Sequence, residues 1–277
     1  MIEIGTFQNL KAVRDTPHGM VLHNEEGDDV LLPNKYVPEG LQEGGEVEVF
    51  VYTDSEDWPI ATTQRPFAQR DQYANLLVKE ISALGAWMDM GLDKDLLVPF
   101  SEQDLRMEAG KYYPVYVYVD EETDRLVGSN RFRRFLSQDN LTVEEGQEVD
   151  LFILGFSDLG AKAAVNGSHE GLIFKSDIFR TLQLGERLKG FVKTVRPDGK
   201  LDLTLQPEGY AKVEPNAEKI LAKLRSTPNG FLALHDKSDP ELIREQLQMS
   251  KKTFKKAIGG LYKQQLIELV DGGIRLK

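Results

Sequence analysis

Five consecutive residues, Arg131-Phe132-Arg133-Arg134-Phe135, interleave guanidinium groups with aromatic rings. The pattern suits a single-stranded nucleic acid, because guanidinium meets phosphate while a ring stacks on a base. It suits equally a clamp between domains, with the arginines paired to acidic neighbours. A second basic cluster, Lys251, Lys252, Lys255 and Lys256 followed by Lys263, lies in a stretch from Ser250 to Lys263 with no acidic residue. Helical spacing makes it a face that can grip a sugar-phosphate backbone, or simply a solvated helix face. Catalysis has less to work with. There is no cysteine, which removes disulfides, thiolate metal sites and thiol nucleophiles. His18, His23, His169 and His235 show neither HxxxH nor HxH spacing. Glu25, Glu26, Asp28 and Asp29, and likewise Asp120, Glu121, Glu122 and Asp124, read as acidic hairpin turns rather than magnesium ligands. His169 beside Glu170 reads as a loop histidine. No P-loop, GxGxxG or GxSxG pattern occurs. The expectation is a protein without catalysis, metal or cofactor.

At 277 residues the chain is long enough for about two domains of average size. Its net charge of −11 argues against loose, charge-driven nucleic-acid binding. The charge is uneven, however: from Val213 onward twelve basic residues outnumber eight acidic ones. A basic end on an acidic body suggests local recognition. The N-terminal residues lack a stretch of signal-peptide character, and the longest near-continuous apolar run is Leu151 to Phe156. That falls far short of the roughly 20 residues of a membrane span. A cytoplasmic protein without membrane contact is expected.

The elements that would position these groups repeat. Gly19–Thr63, Gly85–Ser129 and Gly160–Thr204 align without gaps, placing Leu31, Leu97 and Leu172 together. Gly44, Gly110 and Gly185 also coincide, as do Ile60, Leu126 and Leu201. Within each unit VEVFVYTD, PVYVYVDE and LKGFVKTV alternate in the manner of strands, and PIATT, RLVGSN and KLDLTL follow across polar turns. With the upstream segments IGTFQNLKAVRD, ANLLVKEISAL and EVDLFILGFSD, each unit holds about five strands, which suits a small closed barrel of the OB type. A glycine at a strand start fits a tight barrel corner. The units are expected at 1–66, 67–139 and 140–212.

From Pro215 the period changes. AEKILAKLRS has helical spacing, FLALHD is a short strand, and Ser238-Asp239-Pro240 caps the helix ELIREQLQ. Ser250 caps KKTFKKAIGGLYKQQ, and LIELV and IRLK close a hairpin over Asp271-Gly272-Gly273. This is the element order of a winged helix, expected over 213–277. Its third helix, the one that enters a major groove in helix-turn-helix proteins, carries the lysines and turns Phe254, Ile258, Leu261 and Tyr262 toward the core. The fold class expected is mainly β: three tandem S1-like five-stranded OB barrels followed by an α/β winged-helix domain.

The third unit, GAKAAVNGSHEGLIFKSDIF…GERLKGFVKTVRPDGKLDLTL, resembles the RNA-binding S1 domain. Three such units followed by a winged helix resemble the conserved virulence factor B family of bacterial RNA-binding regulators. The resemblance implies that aromatic residues on two adjacent strands stack bases while a basic residue before the last strand meets phosphate. The first aromatic position falls on His18, Leu84 and Leu159, and the second on Val21, Trp87 and Lys162. The usual histidine falls on Pro33, Pro99 and Phe174, and the usual arginine on Pro59, Arg125 and Lys200. The first unit departs most and is expected to be structural or protein-binding.

The function expected is therefore non-catalytic binding of single-stranded RNA in post-transcriptional regulation. The candidate contacts are Trp87, Arg125, Arg131, Arg133, Arg134, Lys162, Phe174, Lys193, Lys200, Lys251, Lys252, Lys255 and Lys256. Trp87 packed between barrels, Phe174 in a core and the cations as solvated turn charges are the plainer alternatives. Two other functions stay open: a DNA-binding transcriptional regulator acting through the winged helix, and an adaptor docking a basic protein partner.

Overall fold

The three repeats fold into three closed five-stranded barrels. The first holds β1 (Phe7–Thr16), β2 (Gly19–His23), β3 (Asp29–Pro33), β4 (Glu46–Thr53) and β5 (Pro59–Thr62). The second holds β6 (Gln72–Ile81), β7 (Gly85–Met88), β8 (Leu96–Pro99), β9 (Tyr112–Val119) and β10 (Leu126–Ser129). The third holds β11 (Glu148–Phe156), β12 (Gly160–Val165), β13 (His169–Phe174), β14 (Arg187–Val195) and β15 (Leu201–Thr204). In each, the third strand runs parallel to the fifth and every other pairing is antiparallel, the strand arrangement of an OB barrel. This is a computed structural model; it describes residues 1–206 and 215–277 and forms two compact units, Met1–Leu205 and Gln206–Lys277. The boundary expected between 212 and 213 lies outside the described residues. Among the described residues no helix is long and apolar enough to cross a membrane.

The coincident glycines have two distinct causes. Gly19, Gly85 and Gly160 begin the second strand of each barrel, where a Cβ would stand 2.1, 2.2 and 2.0 Å from the carbonyl oxygens of Leu32, Val98 and Ile173. Only a residue without a side chain permits that approach. Gly44, Gly110 and Gly185 have φ of +89°, +81° and +73°, a left-handed turn that leads into the fourth strand. Their N–H groups donate to the carbonyls of Ala12, Val78 and Ile153 at 2.7, 2.8 and 2.8 Å. Each acceptor sits at a β-bulge of the first strand.

The fourth and first strands read as near-continuous apolar runs because both faces are buried. In β4, Val49 and Val51 fill the first barrel, while Phe50 and Tyr52 pack outward with the core of the second. In β11, Leu151 and Ile153 point into the third barrel; Phe152 and Leu154 join Tyr73 and Ala164 in a separate cluster between the second and third barrels. Tyr116, Phe132 and Leu136 complete that junction.

Two expectations about the barrels are corrected. The ungapped alignment places Thr63 with Ser129 and Thr204, yet Phe50 pairs with Thr62 just as Tyr116 pairs with Ser129 and Phe191 with Thr204. The hairpin of the fourth and fifth strands is one residue shorter in the first unit, by a turn residue against the second barrel and by the Val192–Thr194 bulge against the third, so Trp58, not Pro59, matches Arg125 and Lys200. His169 is not in a loop. It begins β13, buried, with Nδ1 on the Ser137 carbonyl at 3.1 Å and Nε2 3.1 Å from the Thr142 hydroxyl. It ties the inter-barrel segment to the barrel wall.

The C-terminal unit contains α1 (Pro215–Ser226), β16 (Phe231–Leu232), α2 (Pro240–Leu247), α3 (Lys251–Lys263), β17 (Ile267–Val270) and β18 (Gly273–Leu276), with sheet order β16-β18-β17. Asp239 and Ser250 are the N-caps, accepting from the N–H of Glu241 at 2.8 Å and of Thr253 at 3.1 Å. Phe254, Ala257, Ile258 and Leu261 form the buried stripe of α3. Tyr262, expected in that stripe, is instead 53% exposed. It lies about 100° round from Leu261, and Ala257 completes the stripe in its place.

The glycine argument predicts unequal costs. Gly160→Ala, with a 2.0 Å clash against backbone, should cost about 3–4 kcal/mol. Gly44→Ala, with nothing within 4 Å, should cost only the left-handed penalty of about 1–2 kcal/mol. Urea unfolding followed by circular dichroism measures both; equal losses would refute the distinction.

Candidate nucleic-acid interface

On the third barrel the outer faces of β12 and β13 come together. Lys162 pairs with Leu172 and Gly160 with Phe174 in register. The Phe174 ring is half-buried, and Arg196, from the turn between β14 and β15, places its guanidinium 5.7 Å from the ring centroid. Asp202 holds Arg196 there with contacts at 3.1 and 2.9 Å. Lys162 has no carboxylate partner among the described residues, and Leu159 at the hairpin tip is exposed. An aromatic ring, a planar cation, a free ammonium and an apolar tip thus share one surface. That combination can stack a base and meet a phosphate. Arg196 is absent from the sequence-derived candidates; its position, an arginine opening the RPDG turn, is the signal that could have found it.

Several candidate cations are occupied. Arg125 pairs with Asp57 of the first barrel. Arg134 binds Glu102 at 2.5 Å and lies over the rings of Tyr118 and Phe135. Lys193 binds Asp177 at 3.0 Å and Lys200 binds Asp198 at 2.6 Å. The Lys200 contact holds the Asp198 carboxyl below its ordinary value. The Arg125–Asp57 and Lys200–Asp198 pairs are exposed on both sides, so each contributes little to stability and can be exchanged for a phosphate, whereas Glu102 and Asp177 are mostly buried.

The Arg131–Phe135 run divides its labour. Phe132 lies 5.9 Å from Tyr73, and Phe135 stacks on Tyr116 at 4.2 Å. Both rings are therefore part of the barrel junction. Arg131 and Arg133 are exposed, with no carboxylate partner among the described residues. On the second barrel the sequence reading missed a further pair: Arg106 stacks over Phe100 at 3.8 Å, and Phe100 donates its N–H to the Leu84 carbonyl at the hairpin tip.

Trp87 is set apart from these cations. It is half-buried, its indole N–H donates to the Ser82 hydroxyl at 3.0 Å, and it lines a cavity shared with the first barrel. Asp93 in the same cavity is held at a pKa of about 2, chiefly by Lys35. Lys94, also there, has its pKa lowered by burial. Trp58, now aligned with Arg125 and Lys200, is 68% exposed on the first barrel.

In the C-terminal unit, Lys251 and Lys252 have no acidic partner among the described residues, and Lys255 lies 3.8 Å from Asp236. Lys252, Lys255, Lys256, Gly259 and Lys263 share the face of α3 opposite its buried stripe. No group of three or more metal-ligating side chains occurs among the described residues.

Comparison with known proteins places these parts. The S1 domain family model matches residues 4–64, and that of the CvfB-like winged helix domain matches 218–276. The S1 match falls on the first barrel, the unit whose expected contact positions depart most. The uncharacterized protein YitL of Bacillus subtilis is 30% identical, over 94% of this chain and 89% of its own length. Conserved virulence factor B of Staphylococcus aureus is 26% identical, over 99% of this chain and 94% of its own. A crystal structure of a multidomain protein with nucleic acid binding domains from Streptococcus pneumoniae aligns over 99% of this chain and 98% of its own, with 26% identity and a TM-score of 0.45. The matched domains are nucleic-acid-binding types rather than catalytic ones.

The lysine face of α3 is interrupted by Gly259 and Gly260, where an added methyl would meet nothing within 4 Å. Packing within the unit therefore does not require them. Gly259→Ala should stabilise the C-terminal unit by about 1 kcal/mol, the difference in helix propensity. Chemical denaturation of the full chain, followed by the helical signal, checks this; a loss of stability would mean that the backbone there is needed bare.

Proposed function

The chain belongs to the conserved virulence factor B family, and on that premise we propose that it is a non-catalytic RNA-binding protein acting in post-transcriptional regulation. One observation carries the reading: the face on which Phe174, Arg196 and Lys162 converge. A single strand laid there stacks a base on the ring and sets its phosphates against the two cations. Arg131 and Arg133, exposed at the junction of the second and third barrels, extend the contact. The lysines of α3 supply a further backbone grip.

The mechanism is additive. Each site is weak, since Phe174 is one ring and many nearby cations are already paired. Sites joined in one chain bind with an effective concentration that multiplies their separate affinities. The same logic overcomes the net charge of −11, because Lys162, Arg131 and Arg133 are unpaired where phosphates pass, and Asp202 is offset there by Arg196.

Asp202 restrains this face. Its carboxylate faces the phosphate path and holds Arg196. Asp202→Asn should raise RNA affinity about threefold, the effect of removing one partly screened like charge.

A salt-titrated binding panel of single-stranded RNA, single-stranded DNA and duplex DNA tests the reading. RNA should bind most tightly. Phe174→Ala should cost about 1–3 kcal/mol of that binding. Arg131→Glu with Arg133→Glu should flatten the log-salt slope by about 0.7 for each phosphate no longer neutralised. Lys252→Glu should do the same if α3 shares the strand. Tighter binding of duplex DNA, abolished by Lys252→Glu and untouched by Phe174→Ala, would assign the protein to DNA through its winged helix instead. Absence of binding to all three at physiological salt would overturn both.

A further inference from the structure

Between the first and second barrels lies a cavity of about 380 Å3. Trp87 and Tyr52 wall it, and the carboxylates of Asp54, Glu80, Asp93 and Asp95 surround it. The nearby lysines are committed. Lys35 pairs with Asp93, Lys79 binds Asp95 at 2.8 Å, and Lys94 donates to the carbonyls of Thr53 and Asp54 at 2.9 and 2.5 Å. The Glu80 carboxylate has no ion pair or hydrogen bond among the described residues. It stands directly opposite Trp87 in the β6–β7 register, and such cross-strand neighbours share a face with Cβ atoms about 5 Å apart. Tyr36 also lines the cavity. It is only 8% exposed, and its hydroxyl, although near Lys35 and Asp93, makes no well-formed hydrogen bond. Beside the Asp93 carboxylate and the Lys35 ammonium, that hydroxyl can still accept from a donor that enters the cavity.

We propose that this cavity docks an arginine side chain of a basic protein partner, its guanidinium lying on the Trp87 indole and donating to the Glu80 carboxylate and the Tyr36 hydroxyl. Arginine fits better than lysine because a planar guanidinium stacks on a ring while its N–H groups reach two acceptors at once. A nucleic-acid strand fits poorly, since its phosphates would approach the carboxylates of Glu80, Asp93 and Asp95 on the second barrel and of Asp54 on the strongly acidic first barrel. Residues 1–66 carry thirteen acidic and four basic residues, a field that attracts a basic protein and repels a polyanion. The site gives the seam between the first and second barrels a role of its own, and it stands whether or not the third barrel binds RNA.

The full-length Trp58→Phe variant leaves Trp87 as the sole tryptophan, so its fluorescence reports the cavity. Titration with the peptide acetyl-(Gly-Arg)3-amide at physiological salt should shift the emission saturably, and the lysine analogue should bind several-fold more weakly. Glu80→Gln should weaken binding at least fivefold. Glu121→Gln, which removes the same charge from an exposed turn, should leave it unchanged. Tyr36→Phe, which changes no charge, should weaken it at least twofold with an unaltered melting temperature. Equal losses for Glu80→Gln and Glu121→Gln would reduce the attraction to net charge and overturn the proposal. So would the absence of a saturable signal, or its saturation by an oligouridylate instead of the peptide.

Discussion

Each barrel closes through one backbone clasp. The first strand must pair with two neighbours, and it changes partner midway. Phe7 to Lys11 pair with β4, and Lys11 to Thr16 pair with β2. The same exchange occurs near Val78 in β6 and near Leu151 to Ile153 in β11. A bulge at the exchange point bends the strand so that both ladders form. Ala12, Val78 and Ile153 then have N–H and carbonyl groups with no ladder partner. The turn before the fourth strand supplies both: the left-handed glycine donates, and the carbonyls of Gly45, Lys111 and Glu186 accept at 2.8, 3.0 and 2.9 Å. All three bulge residues are fully buried, where unpaired backbone groups are not tolerated. The clasp fixes the phase of every strand and so decides that Lys162 and Phe174 face outward while Ala161, Ala163 and Ile173 fill the core.

Closure leaves each barrel with outward apolar residues, and most are used to join the barrels. Phe7, Phe50 and Tyr52 pack with the second barrel's core, and Tyr73, Tyr116, Phe132, Phe135 and Phe152 build the next junction. Aromatic content is therefore a poor measure of base-stacking capacity in this chain. Two of the half-buried rings left outside these junctions, Phe174 and Phe100, have an arginine laid beside them.

This explains what could be read in the amino-acid order and what could not. The three barrels, the winged helix and both helix caps were legible, because backbone geometry demands glycine, Asp or Ser at fixed offsets. The position of Trp58 was not, because one residue fewer in a hairpin, whether from its turn or from a bulge, shifts register without disturbing the alternation on either side. The aromatic half of the Arg131–Phe135 run was ambiguous for another reason: interleaved rings and cations satisfy a domain joint as well as a nucleic acid. Only tertiary contact divides them, with the phenylalanines packed inward and Arg131 and Arg133 facing out. Arg125 shows the same limit. Its partner Asp57 lies 68 residues away, beyond the reach of any local pattern, so a cation that looked available is tied to a neighbouring barrel.

Charge placement then settles how an acidic chain can carry nucleic-acid-binding domains. Most basic residues of the first two barrels are held by carboxylates at barrel seams or turns, as with Arg70 on Glu3, Arg65 on Glu48 and Lys35 on Asp93. Those pairs hold the barrels in place rather than offering positive potential. Lys11, Arg14 and Arg106 have no carboxylate partner on the first two barrels among the described residues, and Lys162, Arg131, Arg133, Lys251 and Lys252 have none on the third barrel, its junction and α3. With a screening length of about 8 Å at physiological salt, carboxylates of the first barrel barely act on the third-barrel face. A net charge of −11 is then no obstacle to a polyanion at the third barrel, while the carboxylates of Asp54, Glu80, Asp93 and Asp95 around Trp87 make the seam of the first two barrels a place for a cation.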